Sequence, residues 1–168
     1  RDAEAIKYAT SCGIKGVFTT HGKDINDLII NPAINDLLKN KVYDKFISSH
    51  DYIGEERYKH SLLVAEEMKR LAIFHDLELP TKKIIITGLI HDYAKYIVLD
   101  EYIKFSIKYP QIIEELRYPQ KIRHAILAPY IVYEELEIDD LEILEAVKYH
   151  ATGIRKMSVL GEILFIAD

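Results

Sequence analysis

His60, the adjacent pair His91–Asp92, and Lys95 three residues later are the residues whose types and order can do chemistry. They lie in R-Y-K-H-S (residues 57–61) and I-H-D-Y-A-K (residues 90–95), at the two ends of a stretch that reads as helices. Two imidazoles and a carboxylate brought together by packed helices make a divalent-metal site, because iron, manganese, cobalt and zinc accept mixed nitrogen and oxygen donors. His124, His150 and Asp168 fall on inward faces of later helices and add to this nucleus. One inward histidine reads as a hydrogen-bonded core residue. Four with two inward aspartates are hard to explain as core filler, since buried imidazoles need partners and buried carboxylates need a compensating charge. A metal centre meets both demands.

Six ligands exceed what one catalytic metal needs if it must also hold water. Two metals sharing Asp92 would use them all. A pair about 4 Å apart can hold a bridging hydroxide and orient an in-line displacement at phosphorus. Lys95, one helical turn beyond Asp92, is placed to meet a phosphate oxygen. Thr152, Gly153 and Arg155 follow His150, where exposed backbone N–H groups would cradle an anion. Asp92 and Lys95 are thus the expected catalytic residues. His21, His50 and His75 lie outside this pattern and read as solvated.

The elements that must position these side chains are helical. Residues 55–77 predict a helix with Leu63, Val64, Met68, Leu71 and Ala72 as its apolar stripe and His60 on that stripe. Residues 81–95 predict a central buried helix, with Thr81 as cap, Asp92 at its inner end and Gly88 leaving space beside that carboxylate. Short helices follow at residues 101–109 and 111–118, broken by Pro110 and Pro119. Residues 120–136 form a longer helix carrying His124, where Pro129 predicts a kink. Asp139 or Asp140 caps a helix running to His150. A final helix from Ser158 places Gly161, Leu164, Phe165 and Asp168 on one face. No strand alternation or internal repeat stands out in this part, so the fold class is all-α.

Residues 1 to about 33 are punctuated by Gly13, Gly16, Gly22 and Pro32 and give only a short helix (residues 3–10) and a short strand or loop (residues 16–20). Residues 34–47 show loose helical spacing, and a linker spans residues 48–54. The expected organisation is an N-terminal extension over residues 1–50 and a compact domain over residues 51–168. The chain opens on Arg1 and ends on Asp168 inside an apolar pattern, so the domain is expected to be incomplete at its C-terminus.

The chain has 168 residues, 49% hydrophobic and 29% charged, ordinary for one soluble domain. A net charge of −5 argues against broad nucleic-acid binding. The single Cys12 fits a reducing, cytoplasmic setting, and no apolar run approaches a membrane span.

The order His60, His91–Asp92, Asp168 resembles the metal pattern of the HD-domain phosphohydrolase superfamily. R-Y-K-H-S, H-D-Y-A-K, His124–Ala125, K-Y-H-A-T-G (residues 148–153), M-S-V-L (residues 157–160) and F-I-A-D (residues 165–168) follow the order of its YqeK-type group. The resemblance implies an HD-domain helical bundle acting as a symmetrical bis(5'-nucleosyl)-tetraphosphatase that splits diadenosine tetraphosphate into two ADP. It implies that His60, His91, Asp92 and Asp168 hold one metal, that His124 and His150 complete a second with Asp92 shared, and that the metal is iron. Lys95, Thr152, Gly153 and Arg57 match positions that face phosphate or structure the site. Ala151 stands where the family commonly has threonine, and Ile154 where it has arginine, a place Arg155 would fill from one position later. Residues 31–43 are faintly similar to the tail of nicotinate-nucleotide adenylyltransferases, so residues 1–43 are readable as a remnant of a fused partner. Alternative readings are an HD phosphohydrolase acting on a nucleoside monophosphate and a non-catalytic metal or nucleotide sensor. The expected partner is a small nucleotide rather than nucleic acid or membrane, and the oligomeric state is open, a homodimer being one option.

Overall fold

The computed structural model describes residues 54–97, 99–115 and 118–168. Seven helices, and no strand among the described residues, follow in order: α1 (Glu55–Phe74), α2 (Thr81–Ile90), α3 (Leu99–Lys108), α4 (Ile112–Glu115), α5 (Gln120–Leu136), α6 (Leu141–Tyr149) and α7 (Val159–Ala167). The expectations for residues 3–10, 16–20 and 34–47, and those for His21 and His50, fall outside the described residues.

α2 is the centre, as its composition requires. Every residue from Ile84 to Ile90 is buried, and burying each Ile or Leu side chain stabilises by about 1.5–3 kcal/mol. α1 lies along it, with Tyr58, Leu62, Ala65, Met68 and Ala72 turned inward. Leu63, read as part of that stripe, is 44% exposed instead. Leu62 takes its place on the inner face, while Val64, Met68 and Ala72 are buried as expected. α5 packs on α6, α6 on α7 and α2, and α7 returns to α1, closing the layer around the core. α3 and α4 form an outlying pair tied to α5 through ring contacts of Tyr109 with Tyr130.

Several boundaries differ from the sequence reading. α2 ends at Ile90 rather than Lys95, and residues 91–96 make consecutive tight turns, with Tyr93 N–H bonding Ile90 O and Lys95 N–H bonding Asp92 O. Pro80, not Thr81, is the N-cap of α2, and no side chain caps it. Of the stretch read as a helix from 111 to 118, α4 occupies Ile112–Glu115, and residues 116–117 lie outside the described residues. α5 runs through Pro129 as one element. Asp140 is the cap of α6, accepting from the N–H groups of Glu142 and Ile143, and Ser158 caps α7 through Gly161 N–H. Phe165 is 49% exposed, so it does not share the buried face of Gly161 and Leu164.

Candidate metal centre

The six donors come together from five elements. His60 projects from α1 and His124 from α5, each within a helix whose period places it inward. The other four sit at or just past helix ends. His91 is the C-cap of α2, His150 of α6 and Asp168 of α7, while Asp92 follows His91 directly. Three helix C-termini therefore point their partial negative charge at one place, which favours a cation there.

The donors form two sets of three. In the first, His60 Nε2 and His91 Nε2 lie 2.9 Å and 3.3 Å from Asp168 Oδ1. In the second, His124 Nε2 and His150 Nε2 lie 2.9 Å and 3.5 Å from Asp92 Oδ1. Within each set, one ligand atom from every residue falls within 4.8 Å of the others, as one ion requires. Asp92 joins the sets: its Oδ1 faces the second, and its Oδ2 lies 3.6 Å from His91 Nε2 and 4.0 Å from His60 Nε2. The second set is sealed, with Asp92, His124 and His150 all buried. The first set opens to solvent through His60 and Asp168, whose side chains are 32% and 27% exposed.

The hydrogen-bonding pattern tests whether metal fits. His91 Nδ1 lies 2.7 Å from Gly88 O and His150 Nδ1 lies 2.6 Å from Val147 O. A carbonyl only accepts, so both Nδ1 atoms carry the proton and both Nε2 atoms present a lone pair when the rings are neutral. Those lone pairs meet other imidazole nitrogens at 3.2 Å, His91 against His60 and His150 against His124. Two acceptor nitrogens that face carboxylate oxygens at 3.3–3.6 Å are satisfied by a cation between them. The donor chemistry fits divalent metal, with backbone carbonyls orienting the imidazoles as outer-shell partners. These two carbonyls were not singled out from the sequence. Their signal is a histidine one residue past a helix end, reaching back to the free carbonyl three residues earlier.

Electrostatics point the same way. Burial alone would raise the Asp92 pKa, but the surrounding imidazoles of His124, His150 and His91 and the Lys95 ammonium hold it far below the usual carboxylate range. Asp168 is held far down by the adjoining imidazoles of His60 and His91, which outweigh its burial. Burial pushes His124 down despite its bond to Asp92, favouring the neutral ring that a metal needs.

The remaining expected residues are placed as follows. Arg57 donates to Asp92 Oδ2 from Nη1 at 2.6 Å. Lys95 Nζ lies 3.4 Å from Asp92 Oδ1 and 3.2 Å from His124 Nε2, at the rim of the centre. Gly88 does not make room beside the carboxylate; it lets α2 touch the α1 backbone at Ala65. The N–H groups of Thr152 and Gly153, expected to cradle an anion, both bond Tyr149 O and close the end of α6. Gly153 does so at a φ of +65°, a left-handed conformation open to glycine. Arg155 and Thr152 are exposed on the following loop. His75 is exposed, as expected.

Comparison with known proteins adds the following. The HD domain family model matches residues 57–168. The chain is 37% identical over 116 residues to a Staphylococcus aureus protein named bis(5'-nucleosyl)-tetraphosphatase, symmetrical, covering 69% of this chain and 59% of that one. It is 28% identical over 117 residues to a Mycoplasma genitalium protein named "Probable nicotinate-nucleotide adenylyltransferase/Ap4A hydrolase", covering 69% of this chain and 32% of the relative. A crystal structure from Clostridium acetobutylicum, described as that of a "predicted HD superfamily hydrolase involved in NAD metabolism", superposes with a TM-score of 0.59 at 30% identity. That match covers 74% of this chain and 66% of the other. The chain thus spans about three-fifths of the length of the Staphylococcus relative.

Proposed function

Because this chain belongs to the HD domain family, we propose that it is a metal-dependent phosphohydrolase that splits a dinucleoside tetraphosphate into two nucleoside diphosphates. Diadenosine tetraphosphate is the substrate and ADP the only product, as the name of the Staphylococcus relative suggests. The observation that carries this reading is the division of Asp92 between two three-donor sets, which suits a pair of cations. His60, His91 and Asp168 would hold one and Asp92, His124 and His150 the other, with iron as the cation and manganese, cobalt or zinc as substitutes.

When bound, such cations lower the pKa of a water toward neutrality and offset phosphate charge. The chain's own residues do the rest. Asp92, held ionised, stays available to both sets, and the carbonyls of Gly88 and Val147 keep His91 and His150 turned inward. The open side at His60 and Asp168 admits the polyphosphate. Lys95 and Arg57 sit on that charge-rich edge, each about 30% exposed. Both can turn from the Asp92 carboxylate to the nonbridging oxygens of the phosphorus under attack. Water oxygen bonds to a phosphorus flanking the central bridge as the bridging P–O bond breaks. The leaving group is itself a phosphate, whose second pKa of about 6 lets it depart without a general acid. Thr152 and Arg155, exposed beyond His150, line the path of the outer phosphates.

Residues 51–168 constitute the catalytic domain in this reading, and residues 1–50 are a remnant of a fused adenylyltransferase, a pairing the name of the Mycoplasma relative also joins. A nucleotide substrate and the lone Cys12 suit the cytoplasm. Among the described residues, no helix is long and apolar enough to cross a membrane.

The test is product analysis with diadenosine tetraphosphate and ferrous or manganous ion. ADP alone is the expected result. AMP with ATP would mean a different bond is cut, and phosphate released from nucleoside monophosphates would replace the assignment with a monophosphatase.

A further inference from the structure

α3 carries apolar side chains on two faces. Its inner face is accounted for: Tyr102 is buried and donates its hydroxyl to Ile112 O, while Phe105 and Tyr109 pack on the core and stack on each other. Among the described residues, nothing accounts for its outer face. Leu99, Ile103 and Ile107 are 69%, 47% and 76% exposed, and their spacing of four puts them in one stripe along the helix. Ile113, 54% exposed on neighbouring α4, is a further exposed apolar residue of this outlying pair. Contiguous apolar stripes of this kind on an otherwise polar surface mark contact sites.

Charge identifies what fits there. Asp100, Lys104 and Lys108 run beside the stripe at the same spacing, with the acid at the first turn and the bases toward the last. Laid against a second copy in parallel, the row of Asp100, Lys104 and Lys108 would face the partner's uncharged row of Tyr102 and Ser106 and leave its charges unmatched. Laid antiparallel, the Asp100 end of one copy meets the Lys104–Lys108 end of the other, while Leu99 meets Ile107 and Ile103 meets Ile103. A twofold axis through Ile103 satisfies both the apolar and the charged rows with one self-complementary patch. Lys108 is already taken by Glu134 at 2.6 Å, so Lys104 is the base that meets Asp100 of the second copy. We infer that α3 is the contact surface of a homodimer, two copies pairing antiparallel through Leu99, Ile103 and Ile107. The inference is independent of the metal chemistry.

Sedimentation analysis of the full chain reads it directly. The expected species has twice the 19.5 kDa chain mass. Ile103→Glu gives a folded single-chain species. Asp100→Lys weakens association about tenfold, in the range of a hydrogen-bonded charge at an interface. Salt supplies a second readout that misfolding cannot mimic. Added salt loosens the natural dimer by screening attraction, and tightens that of Asp100→Lys by screening repulsion. A natural chain sedimenting at single-chain mass near 100 µM overturns the inference. So does an Ile103→Glu variant that remains dimeric. If Ile103→Glu instead lowers the melting temperature of a monomer, the stripe is covered by the chain's own residues 1–53, and the inference also fails.

Discussion

Gly88 and Ala65 meet backbone to backbone: a Cβ built on Gly88 would lie 2.5 Å from the Ala65 Cα and 2.8 Å from its nitrogen. α1, which carries His60, is thereby held at its closest approach to α2, which ends at His91. Overpacking a core typically costs about 1–3 kcal/mol, and here the obstructing atoms are backbone and cannot swing aside. The gain in helix propensity from glycine to alanine, about 1 kcal/mol, works against this. Gly88→Ala is expected to lower stability by about 2 kcal/mol in urea denaturation. It should also reduce retained metal, because Gly88 O orients His91. A variant as stable as the natural chain would show that the helices part at no cost.

Asp92 is expected to matter to both metal sets and Asp168 to one. Asp92→Asn keeps the shape but removes the charge from the oxygen that His124 and His150 face and from the one nearest His91. Metal analysis of protein prepared without chelators should find both ions lost in Asp92→Asn and one lost in Asp168→Asn. Affinity should fall by more than the roughly 10- to 100-fold typical of losing an outer-shell partner. Equal loss in the two variants would remove the shared role given to Asp92.

Much of this was legible from residue order, and the exceptions share a cause. His60 and His124 lie inside helices, at positions in step with the apolar residues around them, so their inward direction is readable from sequence. Asp140 and Ser158 are short polar residues ahead of apolar runs; Asp140, one of two expected candidates, caps α6, and Ser158, read as the start of the last helix, is its cap. The end of α2 was misread because no glycine or proline interrupts residues 89–95. The chain turns there through a local bond, His91 Nδ1 to Gly88 O, and through tertiary contacts that hold Asp92 against Arg57 and His124. The N–H groups of Thr152 and Gly153 were likewise assigned outward because sequence does not reveal that Tyr149 O takes both. Gly88 was read for the space it leaves, whereas its use is contact with a helix distant in sequence. Local patterns set the helices; pairings across helices decided where the ligand-bearing ends turn.

Lys95 separates a catalytic from a structural part at the rim. Lys95→Met removes the ammonium but keeps the apolar stem. If Lys95 meets the phosphate in the transition state, kcat should fall about 100- to 1000-fold, the range for losing one such donor. KM and metal content should change little. Were Lys95 only a counter-charge to Asp92, metal retention would change instead, since the nearest cation to Oδ1 and His124 would be gone. Steady-state kinetics and metal analysis on the same preparation decide between the two.

The acid side of the stability curve should depend on Asp140, at the opposite end of α6 from His150. Its side chain accepts from Glu142 N–H at 3.0 Å and Ile143 N–H at 3.2 Å, and Lys83 Nζ lies 2.9 Å away. Burial would raise its pKa, but Lys83 and the two N–H groups outweigh that and hold it below the ordinary 3.8. A carboxyl depressed in the folded chain adds stability above its unfolded pKa, and that contribution drains away as pH falls through the folded value. Asp140→Ala should therefore cost about 1–2 kcal/mol near neutral pH, as loss of an N-cap does. The gap should narrow once the pH is taken well below 4. Urea midpoints for both proteins at pH 7 and near pH 3 measure it. A gap that stays constant across that range would show that neither the cap nor the Lys83 pair depends on the charge of Asp140.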